Sequence, residues 1–441
     1  MVRYPVPAGV LTVLQTLRAA GHQAYVVGGA VRDSVLGLAP RDWDLATDAL
    51  PDRILSLFPS AVPVGLEFGT VLIPIGGSDI QITTFRAASG FATSLEEDLA
   101  HRDFTVNAMA YNPFNLRLID PADVAPYLRA GLLPIKAMGD PYDRFCEDPL
   151  RILRLFSLVG LAGRASCTWS LDPSTWTIAG RLAYILRSVA IERIREELNK
   201  ILLSPNADTC LRLMCEAGVM QHALPFLVPC RGVYQGKYHC FDLFEHTLHA
   251  VKHVPPELHL RWAALLHDLG KLYTRTEDET GIHFYGHAER SAELARDLLT
   301  QYRFSSRFID RVTHLIAHHM FDLPSTKRAI RRLVSRVGRE YILDLIALRT
   351  ADHAARGRDL NQDPVFVAFV EQLEETFDEV MPLSVRDLAV NGHDVMRVLA
   401  IPPGPQVGAV LNNLLMLVLD DPSLNERERL LVALNDLKQK G

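Results

Sequence analysis

Hydrophobic and polar residues follow a mixture of strand-like and helix-like periods over the first ~120 residues of the chain. AYVVGG (residues 24–29) and RDWDLAT (41–47) are predicted to be short strands. FGTVLIPI (68–75) and SDIQITTF (78–85) alternate and are joined by Gly76-Gly77, which is typical of a hairpin. These segments predict a small, largely antiparallel sheet.

Helical segments lie between these strands and then replace them. PDRILSLFP is predicted to be a helix opened by Asp48 or Pro51, and AVRDSVLG another. The run SLEEDLAHRDFTVNAMA begins at Ser94 and has Glu97 three residues later, the pattern of a capping box. From about residue 140 the strand signals vanish, and apolar residues recur at i, i+3 and i+4. The sequence therefore predicts an α+β protein with an α/β head and an all-helical remainder.

Composition narrows the class of protein without identifying it. The 441 residues carry 46 Lys and Arg against 52 Asp and Glu, so the net charge of −6 argues against general coating of nucleic acid. No apolar run approaches the ~20 residues needed to span a bilayer, and no signal peptide is visible. The six cysteines fit no common zinc motif and are expected to be free thiols. We expect a soluble, cytoplasmic protein with no membrane partner.

Two aspartates form the first candidate site. Asp42 and Asp44 are one residue apart on a predicted strand, so their carboxylates would share one face. Because adjacent carboxylates repel each other, a Mg²⁺ ion between them is an economical explanation. Ten residues upstream, Gly28-Gly29 end a strand and open a helix carrying Arg32, an arrangement that lets a phosphate approach the backbone. Together these features predict a site for a nucleoside triphosphate and its metals.

Several motifs in this order closely resemble the class II tRNA nucleotidyltransferases, a family that includes bacterial poly(A) polymerases. They are VGGAVRDSVLG, RDWDLAT, ITTFR, SLEEDLAHRDFTVNAMAYN and DRFCEDPLRILRLF. The resemblance implies that Asp42 and Asp44 hold the catalytic Mg²⁺ ions. It also implies that the nucleotide is contacted by Gly28, Gly29, Arg32, Arg102, Asp103, Asp148, Arg151 and Arg154. The implied substrates are tRNA and CTP, with ATP as well if the full CCA end is added.

Within EDPLR, the resemblance assigns Asp148 and Arg151 to an amino-acid template that hydrogen-bonds the edge of the base. A carboxylate and a guanidinium can together present acceptors and donors to one base. At i, i+3 on a predicted helix the two would share one face, which would also permit a simple salt bridge between them. The implied reaction is in-line attack of an RNA 3′-hydroxyl on the α-phosphate, with pyrophosphate leaving.

Four departures from the family pattern narrow this interpretation. His101 replaces the first of two arginines before DFT, and Ser157 replaces an arginine one turn beyond Arg154. Gln81 stands where relatives often have an acid, while Asp79 lies two residues earlier on the same face. The sequence therefore does not assign the residue that supplies the third carboxylate of the metal site. The loop AASGFAT (87–93) is shorter than in full CCA-adding enzymes.

In this family a short loop at that position accompanies addition of only two cytidines. We therefore favour CC addition over full CCA addition, with a separate A-adding enzyme acting afterwards. An A-adding enzyme and a poly(A) polymerase are less favoured alternatives. Two further alternatives are an HD phosphohydrolase with an RNA-binding head, and an RNA-binding module without activity.

Many of the 16 histidines cluster after residue 239. Taken singly, each is best explained as a packed core residue. The set as a whole resembles the HD phosphohydrolase superfamily, whose H…HD…D ligands match His246, His267, Asp268 and Asp352. That resemblance implies a divalent metal of unknown identity, with His287, His318 and His319 as candidates for a second metal position. In some bacterial tRNA nucleotidyltransferases such a domain hydrolyses phosphomonoesters or 2′,3′-cyclic phosphates.

A basic helix and a tail complete the expected organisation. Arg328, Arg332 and Arg336 recur every four residues, and this face fits either an RNA backbone or a solvated surface. We expect a nucleotidyltransferase head (1–139), a helical neck and body with the base template and RNA binding (140–235), an HD domain (236–360) and a helical, tRNA-binding tail (361–441).

Overall fold

The computed structural model of the chain describes residues 3–64, 69–75, 78–87, 90–236, 240–378 and 382–440. The chain forms two units, Met1–Val228 and Pro229–Gly441. The predicted turn at Gly76-Gly77 and residues 88–89 of the short loop lie outside the described residues. The finer division into four segments stays a prediction.

The first unit is built on a seven-stranded sheet with the spatial order β3-β4-β5-β2-β1-β6-β7. Its strands are β1 (Ala24–Val27), β2 (Trp43–Thr47), β3 (Val62–Pro63), β4 (Thr70–Ile75), β5 (Ser78–Thr84), β6 (Ala110–Asn112) and β7 (Arg117–Ile119). Only β2 and β5 run parallel to each other, and every other pair is antiparallel. The predicted, largely antiparallel sheet is thus confirmed.

One face of this sheet carries a buried apolar cluster. The cluster consists of Val27, Ala46, Phe85, Ala92, Leu95, Leu99 and Ala110. Asp44 lies two residues before Ala46 and opposite Val27 in the β1–β2 register, so it shares the face with these residues. The candidate carboxylate of Asp44 therefore lies at the border of the core, within β2.

Short helices surround the sheet. They are α1 (Ala8–Ala19), α2 (Gly29–Val35), α3 (Pro51–Leu57), α4 (Leu95–Ala100) and α5 (Ala125–Arg129). Pro51 occupies the first turn of α3, whereas Asp48 accepts hydrogen bonds from His22 and the Gln23 N–H and does not cap the helix. Ser94 accepts from the Glu97 N–H at 3.3 Å and so caps α4, but between these two described residues the reciprocal hydrogen bond of the predicted capping box is not formed. The helix ends at Ala100.

The prediction that strands end near residue 140 was wrong in two places. A parallel pair joins β8 (Leu132–Ile135) to β9 (Thr168–Leu171), and a hairpin joins β10 (Thr276–Asp278) to β11 (Gly281–His283). These strands have only three or four residues, so their alternation is too short to stand out from a helical period.

The remainder of the first unit is helical. It contains α6 (Pro141–Glu147), α7 (Arg151–Arg164), α8 (Pro173–Leu182), α9 (Ile191–Leu202), α10 (Ala207–Glu216) and α11 (Met220–Ala223). Helix α7 packs on both α9 and α10. Its Gly160 allows this approach, because a Cβ there would lie 2.8 Å from the Ser204 side chain.

Helices also dominate the second unit. They are α12 (Leu243–His253), α13 (Leu258–Leu266), α14 (Lys271–Thr274), α15 (His287–Gln301), α16 (Ser306–His318), α17 (Lys327–Val337), α18 (Ile342–Ala354), α19 (Pro364–Asp378), α20 (Gly392–Leu399), α21 (Pro405–Asp420) and α22 (Arg427–Lys440). Helix α13 is central and packs on α12, α16 and α18, with Trp262 fully buried. In the described parts of both units, no helix combines the length and apolar character needed to cross a bilayer.

Candidate nucleotide-binding site and metal cluster

The two predicted metal-binding aspartates occupy different backbone environments. Asp44 lies within β2, between Val27 of β1 and Gln81 of β5. Asp42 lies at the bend immediately before β2 and is exposed, so the expectation that both are strand residues holds only for Asp44. Among the described residues, neither carboxylate has a hydrogen-bond or salt-bridge partner. This pair of unpaired, neighbouring carboxylates fits a divalent cation.

Burial raises the pKa of Asp44 above its ordinary value, and the neighbouring charge of Asp42 raises it further. Arg102, Arg154 and Arg86 act in the opposite direction. The negative charge of Asp44 is therefore only partly compensated by the protein. A bound cation would stabilise the ionised form of this carboxylate.

The predicted glycine turn lies directly beside Asp44. Gly28 directly follows β1 and immediately precedes α2, and its φ of +70° is a conformation that residues with a side chain disfavour. A Cβ at Gly28 would lie 3.0 Å from Arg102 Nη1 and 3.5 Å from Asp44 Oδ2. Glycine thus keeps the space between the carboxylate and the guanidinium open, as a phosphate site requires.

Arg32, in the middle of α2, is held by two polar neighbours. Its Nε and Nη2 donate to Asp33 Oδ1 at 2.9 and 2.7 Å, and its Nη1 donates to Asn107 Oδ1 at 2.6 Å. Asp33 is buried, and its second oxygen accepts from Arg164 Nη2 at 2.6 Å. The Arg32 guanidinium is therefore fixed beside the Gly28-Gly29 turn.

Arg102 and Asp103 are fixed in a similar way. Arg102 donates from Nη2 to the buried Asp98 at 3.0 Å. Asp103 Oδ1 accepts from the Phe104 N–H and from Asn107 Nδ2, and Oδ2 lies 3.0 Å from Arg154 Nη2. Burial alone would raise the pKa of Asp103, but Arg154 and these hydrogen bonds hold it below its ordinary value.

Sequence reasoning missed Asp98, Asn107 and Arg164 as parts of this site. Asp98 precedes Arg102 by four residues, a helical spacing that suits an ion pair, so its role could have been inferred. Asn107 lies within DFTVNAMA but carries no charge to signal its position. Arg164 is more than 100 residues away from its partner Asp33, and no local pattern predicts that contact.

The proposed base template differs from its predicted geometry. Asp148 is the extended residue after α6, with φ −142°, and α7 begins only at Arg151, so the two do not share one helix face. Pro149 explains the break, because the residue before a proline disfavours the helical conformation. Asp148 pairs with Arg193 at 3.0 Å, whereas Arg151 pairs with Glu147 at 2.9 Å. The alternative of an Asp148–Arg151 salt bridge was therefore also wrong.

The β2–β5 register shows which residues of β5 lie near the two aspartates and could supply the third carboxylate of the metal site. Gln81 lies beside Asp44, and the exposed Asp79 comes one residue before Ile80, the partner of Trp43. The residue beside Asp44 on β5 is thus an amide. Asp79 stays a candidate on the side of Asp42.

Four predicted metal ligands of the second unit converge on one buried point. His246 Nε2 lies 3.1 Å from both Asp268 Oδ2 and Asp352 Oδ1, and 3.4 Å from His267 Nε2. These side chains come from α12, the end of α13 and α18. Their ligand atoms all lie within 4.8 Å of one another, a geometry that can hold a metal ion. We call these four residues the HD cluster.

Asp268 also belongs to a second candidate group. Its Oδ1 lies 3.4 Å from His287 Nε2 and 3.9 Å from His319 Nε2. His318 does not join either group: its Nδ1 donates to the His314 carbonyl, and its ring packs on His314. His287 and His319, but not His318, are thus placed to complete a second metal position.

Burial and the two carboxylates shift the pKa values of the histidines at these groups, and unmet hydrogen bonds favour a bound cation there. Burial would lower the pKa of His267, but Asp268 and Asp352 raise it to about 9, while burial lowers that of His319 to about 3. Within the described chain, Asp268 Oδ1, His287 Nε2 and His319 Nε2 are buried and lack any hydrogen-bond partner. Since buried polar atoms rarely stay unsatisfied, these atoms fit a bound metal.

The three arginines expected to contact RNA have different neighbours in the structure, and their role in RNA binding stays a prediction. Arg328 and Arg332 pair with Asp420 at 2.6 and 2.8 Å. Arg336 instead lines a cavity of about 740 Å³ beside the HD cluster. The four-residue spacing is helical as predicted, but the three side chains have different surroundings.

The chain matches three domain families in sequence. Residues 24–133 match the poly A polymerase head domain, and residues 170–230 match the probable RNA and SrmB-binding site of polymerase A. Residues 238–357 match the HD domain. These matches and the fold define a nucleotidyltransferase head followed by an HD domain.

Proteins that are similar over most of the chain identify the family more specifically than the domain matches do. A CC-adding tRNA nucleotidyltransferase of Thermus thermophilus is 35% identical over 89% of this chain and 88% of its own length. An A-adding tRNA nucleotidyltransferase of Deinococcus radiodurans is 33% identical over 89% of this chain and 90% of its own. The crystal structure of the Bacillus stearothermophilus CCA-adding enzyme with CTP aligns with a TM-score of 0.75, 27% identity and coverage of 98% and 97%. The chain belongs to the tRNA nucleotidyltransferase family.

Proposed function

We propose that the chain adds two cytidines to the 3′ end of tRNA from CTP and releases pyrophosphate. The observation that carries the nucleotidyl transfer is the placement of Asp44 and Arg102 beside Gly28, where a Cβ would lie 3.5 Å from Asp44 Oδ2 and 3.0 Å from Arg102 Nη1. Relatives that bear the names CC-adding and CCA-adding support tRNA as the acceptor and CTP as a substrate. The short loop at residues 87–93 supports a stop after two cytidines.

The residues of the site take distinct parts in this reaction. Asp42 and Asp44 would hold Mg²⁺, which lowers the negative charge of the phosphates and favours ionisation of the RNA 3′-hydroxyl. The Gly28-Gly29 turn admits the triphosphate, and Arg32, Arg102 and Arg154 orient it. The RNA 3′-oxygen then forms a bond to the α-phosphorus while the bond to the pyrophosphate oxygen breaks. Asp148 and Arg151 would pair with the cytosine edge once nucleotide displaces their present partners.

The test is extension of a tRNA transcript that lacks its CCA end, with Mg²⁺ and CTP, ATP or both. Two added cytidines and no further extension with ATP are expected. Three added nucleotides with both substrates would contradict the CC-only proposal while leaving nucleotidyl transfer intact. D42N and D44N should each slow addition by about 10²–10³-fold or more, because each removes a charge that stabilises the transition state.

We further propose that the HD cluster hydrolyses phosphate esters. Four converging ligands plus a second group on Asp268 favour this activity over a purely structural role. H267A should abolish hydrolysis of phosphomonoesters and 2′,3′-cyclic phosphates but leave cytidine addition intact, and D44N should do the reverse. Loss of both activities in either variant would contradict two independent sites.

A further inference from the structure

The cavity beside the HD cluster carries an excess of positive charge. Lys271, Arg336, Arg356 and Arg358 all line it, against a single acidic residue, Glu289. A volume of about 740 Å³ is sufficient for a nucleotide. The cavity is therefore suited to an organic anion.

Two of these cations belong to the end of the cavity that meets the metal ligands. Lys271 Nζ lies 2.7 Å from Asp268 Oδ2, and Arg356 Nη2 lies 2.7 Å from Asp352 Oδ2. Both side chains are thus already neutralised by the carboxylates of the HD cluster. His287, which contacts Asp268, lines the same end.

The other two cations are different. Arg336 on α17 and Arg358, which follows α18, are both exposed, and in the described parts of the chain neither forms a salt bridge. The other two predicted RNA-binding arginines on α17 contrast with Arg336, because Arg328 and Arg332 both form salt bridges with Asp420. Two guanidinium groups from separate elements, neither of them in a salt bridge with a described residue, thus line one cavity, which is the arrangement that binds phosphate.

Flat aromatic surfaces complete the lining. Phe284, Tyr285 and Phe321 lie along the cavity, and Tyr285 is 74% exposed and stacked on His283 at 5.2 Å between ring centroids. An exposed, stacked ring of this kind suits the face of a nucleobase. A simple phosphate ester would make no use of it.

We propose that Arg336 and Arg358 form an anion-binding position separate from the HD cluster, so that the cavity selects nucleotides with two separated phosphate groups. One phosphate lies at the metal cluster, the base lies against the aromatic residues, and the second phosphate lies on the two arginines. The inference rests on the proposed hydrolase for the role of the first phosphate. It assigns Arg336 to the cavity and not to a stripe that follows the tRNA backbone.

The anion-binding position can be tested without any metal by equilibrium dialysis in the presence of a chelator. The full-length protein is dialysed against adenosine 3′,5′-bisphosphate or adenosine 3′-monophosphate. The bisphosphate should bind about tenfold more tightly, as expected for charge-assisted hydrogen bonds to a phosphate. R336Q and R358Q should each remove most of that preference and leave the monophosphate within about twofold. R328Q, on the same helix but paired with Asp420, is the matched control and should retain the full preference. Nucleotide bound at the head is common to all variants, so the difference in preference between R336Q or R358Q and the R328Q control reports on the cavity alone.

Equal affinity of the two nucleotides for the unaltered protein would overturn the proposal, as would equal losses for both in R336Q. A drop in tRNA affinity in R336Q with no change in nucleotide preference would assign the arginine to RNA instead. Hydrolysis assays with added Mn²⁺ test the proposed hydrolase independently of the proposed anion-binding position. A persistent bisphosphate preference without any hydrolysis would refute the hydrolase and keep the anion position, whereas hydrolysis without preference would do the opposite.

Discussion

Arg164, the last residue of α7, donates from Nη2 to Asp33 Oδ2 at 2.6 Å. Asp33 in turn holds Arg32, and Arg32 donates to Asn107, which donates to Asp103. Asp103 contacts Arg154, in the first turn of the same helix α7. A chain of polar contacts that includes Arg32, beside the Gly28-Gly29 turn, thus connects the two ends of α7. Helix α7 can therefore set the orientation of Arg32.

Arg164→Met should therefore weaken binding of CTP without changing the chemical step. Asp33 would lose one of its two cationic partners and Arg32 would lose its fixed orientation. We expect the KM and Kd for CTP to rise about tenfold, as for loss of one hydrogen bond between charged groups, with kcat within about twofold. Cytidine, which has no phosphate to contact Arg32, should bind as before. Steady-state kinetics and calorimetric titration measure these quantities.

Arg164→Lys should restore part of the affinity, because it keeps the charge but not the fork geometry. Arg181→Met, at the exposed end of α8, is the control for a general effect of removing an arginine. Equal losses for CTP and cytidine, or a lower kcat with an unchanged KM, would show that Arg164 supports the fold and does not position Arg32.

The sequence was sufficient where local pattern and chemistry agree. Gly28 could be placed at the end of a strand because a turn into a helix and a phosphate site both favour glycine there. The Asp148–Arg151 geometry failed because the helical period of the following residues was extended back through Pro149, which interrupts it. A single proline outweighed an otherwise regular pattern.

Long-range relationships were beyond the sequence for a different reason. The spacing of His246, His267 and Asp352 matches a known ligand pattern, but distances of 3.1–3.7 Å between them arise only when α12, α13 and α18 pack. Arg336 follows Arg328 and Arg332 at the same four-residue spacing, but it lines the cavity whereas the other two pair with Asp420. Neither the Arg164–Asp33 pair nor the cavity has any local signature.

Metal removal should destabilise the protein if the HD cluster holds an ion. Without a cation, two buried carboxylates and two histidines lie within 4.8 Å of one another, and a ligand that binds only the folded state stabilises it by about 2.7 kcal/mol at 100 times its Kd. Dialysis against a chelator should lower the Tm, and returning Mn²⁺ should restore it. H246A should bind less metal by elemental analysis and show no Mn²⁺-dependent rise. An unchanged Tm after verified metal removal would contradict a tightly held ion.

Thiol reactivity should separate exposed from buried cysteines. Burial raises the pKa of Cys210 to about 12, so its reactive thiolate is about 10⁻⁴ of the total at pH 8, whereas Cys146 is exposed on α6. Iodoacetamide should label Cys146 within minutes and leave Cys210 unmodified until the protein is denatured, as peptide mass spectrometry can show. Labelling of Cys210 at the rate of Cys146 would mean that the α7–α10 packing opens readily.

Asp344 should make stability fall at acidic pH. Burial alone would raise its pKa, but hydrogen bonds from His259 and Arg311, at 2.9 and 2.7 Å, hold it below its ordinary value near 3.8. A carboxyl whose folded pKa is lowered contributes stability above its unfolded pKa and loses it as pH falls through the folded value. The free energy of unfolding should therefore decrease from about pH 5 downward, and less steeply in D344N than in the unaltered protein. Asp310, in an exposed pair with Arg296, is the control, and D310N should follow the unaltered protein. Urea unfolding between pH 3 and 7 measures all three proteins, and parallel curves for D344N and the unaltered protein would show that Asp344 has the same pKa in both states.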